Sequence, residues 1–277
     1  MKKKGAKMLS LQECHERCLY PCVRIRTPKA LGSGTVIFTE PTSGEKGMTD
    51  TYVLTNEHVV DNLISVQEKW STLLQRQAKA DVLGHPDVEV FNYAYQTRVH
   101  GASSLQADIM AYDKEEDIAL LRVRSGAQFK YVAQMYPEAD VNKLVAFMPV
   151  WNVGCGLGGP PAITPGYLSA FGVDIDHRDY FLVTAPSIFG NSGGATFLQE
   201  SGHYIGIPAR ISVASLGWSA DVITHLGFSI TVARIYQFLR DQIFDFIIDT
   251  SKSSEQCEKE RKEKRERDMF LRKQGEE

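Results

Sequence analysis

The sequence predicts an all-β fold, a barrel or sandwich of many short strands, followed by a C-terminal helix and a charged helical tail. Three observations carry this. Short runs rich in Val, Ile, Tyr and Phe recur from about residue 22 to residue 230, parted by Gly, Pro, Asn and Asp clusters. After them, residues 232–248 place Ile235, Tyr236, Leu239, Ile243, Phe246 and Ile247 at helical spacing. From residue 251 to 277 the composition turns abruptly to Lys, Arg and Glu.

In chain order, residues 9–19 read as a short helix with Ser10 as N-cap. Strands are expected at 22–26, 34–38, 52–55, 88–95, 108–112, 118–123, 144–150, 166–171, 180–183, 195–198 and 204–207. Between the third and fourth, residues 65–80 read as a helix, with Val66, Trp70, Leu73 and Leu74 on one face. The helix over 232–248 is expected to pack on the β-structure. The tail holds Met269, Phe270 and Leu271 as its apolar cluster, and its balanced charges allow many i,i+4 pairs. It reads as a solvated, fraying helix, with docking onto a partner or another copy as the sharper alternative. The expected organisation is one domain over 1–250 and a tail over 251–277.

With 277 residues, 43% of them hydrophobic, the chain has material for one or two cores. A net charge of −3 gives no basic excess to argue for a nucleic-acid partner. Five cysteines, an odd number with three crowded near the start, do not form the paired framework of a secreted disulfide scaffold. Met1-Lys2-Lys3-Lys4 is not followed by the apolar run of a leader, and no stretch is apolar enough to span a membrane. These features predict a cytoplasmic protein, although a chain trimmed of its targeting segment would read the same.

Three segments carry chemistry. Ser192 lies in Phe189-Gly190-Asn191-Ser192-Gly193-Gly194. A serine hydroxyl attacks well only when a base takes its proton. Glycines let a tight turn aim backbone N–H groups at a developing oxyanion, and the expected donors here are Gly190 and Ser192. Alone, the segment also reads as a Gly-rich hairpin turn. His58 closes the apolar run Tyr52-Val53-Leu54-Thr55-Asn56-Glu57-His58, a place where a strand fixes a general base beside an open loop. Alone, it also reads as a structural histidine. Asp117 abuts the buried run Ile118-Ala119-Leu120-Leu121, where a carboxylate could orient an imidazole or merely start a strand. The order His, Asp, Ser, with gaps of 59 and 75 residues, is that of the chymotrypsin arrangement and joins three weak signals into one.

On these segments the sequence resembles the HtrA/Deg-like branch of the trypsin-like serine proteases. The matching pieces are Gly32-Ser33-Gly34-Thr35-Val36-Ile37, Leu54-Thr55-Asn56-Glu57-His58-Val59-Val60, Asp117-Ile118-Ala119-Leu120-Leu121, Thr164-Pro165-Gly166-Tyr167-Leu168, Gly190-Asn191-Ser192-Gly193-Gly194 and Gly227-Phe228-Ser229-Ile230. The resemblance implies two six-stranded antiparallel β-barrels of chymotrypsin type with the active site between them. It also implies serine endopeptidase activity on protein or peptide substrates with no cofactor, and a specificity pocket lined by Ile207, Pro208, Ala209 and Phe228. Pro186 stands six positions before Ser192, where no acid is available to hold a Lys or Arg side chain, so a small or medium apolar P1 residue is expected. The sequence departs from the family in an insertion at about 67–84, in Ala195 where a proline is common, and in a Gly-rich loop at 150–161. Only the charged tail follows Ile248, leaving no room for a PDZ domain.

Other motifs carry less. Cys14, Cys18 and Cys22 with His15 lack a second pair at zinc spacing and read as small buried residues. The glycines at 154, 156, 158 and 159 run into Pro160 and Pro161 rather than a helix, which argues against a nucleotide loop. Two alternatives to an active endopeptidase stand: a catalytically silent binding module with a protease fold, and a self-processing effector activated by a partner through the tail.

Overall fold

The short apolar runs fold into two closed antiparallel barrels of six strands each. The computed structural model describes residues 9–71, 76–126, 129–215 and 220–274. The first barrel uses β1 (Cys22–Arg26), β2 (Leu31–Pro41) and β3 (Thr49–Thr55). After a hairpin of β4 (Ile64–Ser71) and β5 (Arg76–Leu83), it adds β6 (Asp87–Tyr95), β7 (Arg98–Asp113) and β8 (Ile118–Ser125). Its order is β1-β2-β3-β8-β7-β6, and β6 closes the ring onto β1 with Ile25 opposite Val88. The second barrel comprises β9 (Pro149–Gly154), β10 (Ala162–Ile175), β11 (Arg178–Val183), β12 (Ala195–Leu198), β13 (Tyr204–Ser215) and β14 (Ala220–Thr231). Its ring closes where β12 pairs β9, with Ala195 opposite Val153.

Side-chain alternation explains where the cores sit. Val23, Ile25, Val36, Val53, Ala119, Leu121 and Val123 share the core of the first barrel. Ile118 and Leu120, on the opposite face of β8, join a larger core that draws on both barrels, with Val153, Phe197, Ile207 and Ile230. Residues 118–121 are therefore fully buried on both faces, which is why that strand reads as an unbroken apolar run. Each such aliphatic side chain contributes about 1.5–3 kcal/mol by leaving water. The rigid wall so formed fixes Asp117 at its start.

Several expectations need correction. Residues 65–80 are not a helix: β4 and β5 pair from Ile64 opposite Leu83 to Ser71 opposite Arg76. The spacing of Val66 and Trp70 is even, so a strand of period two puts them on one face as readily as a helix does. Both are exposed. Leu73 and Leu74 lie outside the described residues. The strand expected at 144–150 forms five residues later, as β9, because residues 146–147 form a turn in which Phe147 adopts φ 72°.

The short first helix keeps its predicted start. Ser10 Oγ accepts from the Glu13 amide while the Glu13 carboxylate accepts from the Ser10 amide. It comprises α1 (Leu11–Cys14) continued as a π-helix over His15–Leu19, and α2 (Glu57–Val60) follows β3. The helix expected over 232–248 is α3 (Val232–Asp241), capped by Thr231. It stops because Ile243 adopts φ 58°, after which Phe246 enters the core from a 3₁₀ turn. The tail forms α4 (Ser254–Gln274). Its first half docks on this chain rather than lying free in solvent: Cys257 is fully buried, and the Arg261 guanidinium sits 4.1 Å over the Phe244 ring while donating to the Ile243 carbonyl. Burial pushes the Cys18 thiol up to about 12, in keeping with a small buried residue. Among the described residues no group of three or more His, Cys, Asp or Glu side chains converges on a metal position, and no helix is long and apolar enough to cross a membrane.

Candidate active site

His58 and Asp117 come from the first barrel and Ser192 from the second. His58 stands on the single turn α2, immediately after β3, with Asn56 in extended conformation at the turn's start. Asp117 occupies the turn before β8 at φ 56°, a left-handed conformation that aspartate tolerates better than most residues. The Asn56 side-chain amide donates to the Asp117 carbonyl at 2.8 Å and so holds that turn. The Asp117 carboxylate faces His58 Nδ1 at 2.9 and 3.0 Å and also accepts the His58 backbone amide at 3.0 Å. Asp117 is buried while the imidazole is half exposed. With Nδ1 donating to the carboxylate, Nε2 keeps its lone pair for a proton. Beside them Glu57 is buried, and burial, together with Asp117 and Asp61, raises its carboxyl.

Ser192 sits on a turn that only its glycines permit. Gly190 has φ 97°, and a Cβ there would come within 2.6 Å of the Cys155 carbonyl. Gly193 has φ 83° and lies against the Ser33 carbonyl and the Thr55 hydroxyl. The Gly193 amide donates to the Pro208 carbonyl at 3.1 Å, and the Gly194 amide to Asn191 at 3.0 Å. Among the described residues, the amides of Gly190 and Ser192 donate to no protein atom.

The Gly-rich loop at 150–161 proves to be a brace for this turn: the Leu157 amide donates to the Phe189 carbonyl at 2.7 Å. Arg24 of the first barrel donates to the Gly158 carbonyl and pairs with Glu89, which ties the loop across the molecule.

Ser33, inside Gly32-Ser33-Gly34, has a role that its sequence motif does not announce. Its amide donates to the Ser192 carbonyl at 2.8 Å, and its hydroxyl donates to Gly190 and accepts from the Cys155 amide. A small hydroxyl residue between two glycines, Gly32 and Gly34, was the available signal.

His58 and Ser192 line one cavity of about 280 Å³, walled by Ser187, Ile188, Phe189 and Asn191 on one side and by residues 208–211 on the other. Of the four predicted pocket residues, Pro208 and Ala209 line it. Ile207 points instead into the shared core, and Phe228 packs there too, edge-on to Tyr180 at 6.5 Å. A register shift in the β13–β14 pairing falls between Pro208 and Arg210, so the cavity wall continues through Arg210 and Ile211.

A family model described as the trypsin-like peptidase domain matches residues 32–207, which include His58, Asp117 and Ser192. The chain belongs to the trypsin-like peptidase family. Among this chain's relatives is a probable periplasmic serine endoprotease DegP-like of Rhizobium meliloti (strain 1021), 31% identical over 69% of the chain and 30% of the relative. Another is the periplasmic pH-dependent serine endoprotease DegQ of Escherichia coli (strain K12), 28% identical over 79% of the chain and 38% of the relative. The chain thus spans about a third of the length of the curated relatives it matches. The HtrA-type protease AlgW with a tripeptide has the same fold at TM-score 0.58 and 19% identity, covering 88% of this chain and 65% of that one. The serine endoprotease from Yersinia pestis superposes with TM-score 0.56 at 20% identity, covering 86% and 68%.

These relatives overturn the cytoplasmic expectation, since they are named as periplasmic and point to an extracytoplasmic location. Cysteine count and surface charge describe a folded domain, and neither encodes its address.

Proposed function

We propose that the chain is a serine endopeptidase in which Ser192 is the nucleophile, His58 the general base and Asp117 the residue that orients and stabilises the imidazole. The observation that carries this reading is the bracketing of His58 Nδ1 by both Asp117 oxygens, with the rest of the ring opening into the cavity it shares with Ser192. His58 Nε2 removes the Ser192 proton as Oγ attacks the peptide carbonyl. The amides of Gly190 and Ser192, free of protein acceptors, take the negative charge of the tetrahedral oxyanion. His58 then gives its proton to the leaving amine, and water releases the acyl group by the same steps in reverse roles.

Ile188, Pro208, Ala209 and Ile211 make the cavity walls largely apolar, and no carboxylate lines it among the described residues. This supports a small or medium apolar P1 side chain and argues against Lys or Arg. The substrates are proteins or peptides met outside the cytoplasm. Labelling by a fluorophosphonate probe tests the reading: the chain is expected to label and Ser192→Ala to stay blank. Labelling that ignores Ser192, or none at all, refutes it.

A further inference from the structure

Arg210 is the cation in the cavity beside Ser192. It lies on β13 two residues after Pro208, whose carbonyl fixes the nucleophile turn through the Gly193 amide. The guanidinium leans across the ring of Tyr180, with Cζ 5.7 Å from the centroid, and Nη1 donates to Asp176 at 2.6 Å. That carboxylate stands on the β10–β11 turn and is 71% exposed, whereas the Arg210 side chain is 33% exposed. Two features follow. Stacking on a buried ring holds the charge at the rim, and one bond to Asp176 leaves most of its five N–H donors unspent. The bond itself is an exposed ion pair, which is weak and easily exchanged for another carboxylate.

A substrate running extended past β13 advances about 3.3 Å per residue. A side chain reaching from the rim toward Asp176 therefore meets residues before P1, not P1 itself. We propose that Arg210 is a specificity-determining residue that binds the carboxylate of an Asp or Glu at one of positions P2 to P4. Asp176 is then the internal carboxylate that the substrate displaces. This rests on the peptidase reading above and adds a charge requirement to the apolar P1 pocket.

Peptides with an apolar P1 and either Glu or Gln at P2, P3 or P4 test it, read as kcat/KM for the full chain. At one position Glu is expected to exceed Gln by about tenfold, the scale of one charge-assisted contact. Arg210→Met, which keeps an apolar stem over Tyr180, should bring that ratio to about one. Asp176→Asn should raise the ratio, and salt should lower it. No preference at any position, or a preference that survives Arg210→Met, overturns the proposal. The same peptides titrated into Ser192→Ala, read by fluorescence anisotropy, judge Arg210 without catalysis. If labelling at Ser192 fails but Glu peptides still bind tighter than Gln peptides through Arg210, the peptidase reading falls and only the carboxylate-binding role of Arg210 is kept.

Discussion

The Ser33 hydroxyl donates to the Gly190 carbonyl at 2.6 Å, so a residue of the first barrel holds the nucleophile turn of the second. The same oxygen accepts the Cys155 amide at 2.7 Å, and the Ser33 amide reaches the Ser192 carbonyl. Removing the hydroxyl leaves a buried amide and a carbonyl without this partner, at about 1–3 kcal/mol. Ser33→Ala is expected to lower kcat more than it raises KM, since the turn that presents the oxyanion donors loosens. Steady-state kinetics on one peptide, with a melting curve alongside, will measure both. A fully active Ser33→Ala would show that the glycines alone hold the turn.

Gly190 cannot carry a side chain. At φ 97° any L-residue is strained, and its Cβ would press on the Cys155 carbonyl. Gly190→Ala is therefore expected to swing the 190 amide out of place and cost about 10²–10³ in kcat, the scale of one lost oxyanion donor. Circular dichroism and turnover together distinguish this from global unfolding.

Asp117→Asn keeps the shape of the side chain but turns a charged acceptor into an amide that no longer fixes Nδ1–H. A drop of about 10⁴ in kcat is expected, as for a triad with the wrong tautomer. Fluorophosphonate labelling should slow in parallel.

Asp50 supports a stability prediction. It lies opposite Arg124 in the β3–β8 pairing and accepts from it at 2.8 and 3.2 Å. Burial alone would raise the Asp50 carboxyl, but the Arg124 hydrogen bonds and charge, with Arg122 and Thr42, outweigh it and hold the carboxyl below its usual range. A depressed folded value means the contribution is complete above the unfolded value, about 3.9, and is lost as pH falls through the folded one. Asp50→Asn should cost about 1–3 kcal/mol at neutral pH. Urea midpoints of the two chains should converge as pH drops below about 3.9. A gap that persists in acid would mean the loss is one of packing.

The legible parts of the fold were those where one residue's neighbours in sequence are also what buries it. Ile118 to Leu121 declared a doubly buried strand, and Ser10 with Glu13 declared a helix start, because alternation and capping are local. The insertion was misread since Val66 and Trp70, four apart, satisfy both periods; pairing with 76–83 selected the strand. Ile207 and Phe228 were expected in the pocket from the family resemblance; both pack in the shared core, and the register shift after Pro208 carries the cavity wall on through Arg210 and Ile211. The tail's charges suggested a free helix, yet Cys257 is buried in the shared core and the Arg261 guanidinium stacks over Phe244, contacts that no local pattern announces.

By itself the sequence determined the residue types available for chemistry, their order, and the glycines that a turn around Ser192 requires. Backbone freedom and side-chain pKa class are properties of single residues, and so survive without coordinates. Only the tertiary structure decided that Asp117 meets His58 across 59 residues and that Ser33 reaches across the barrels to Gly190. It also decided that Arg210, rather than Ile207 or Phe228, turns toward the cavity. Those relations depend on barrel closure and strand register, which are set by many weak contacts acting together and are written at no single position.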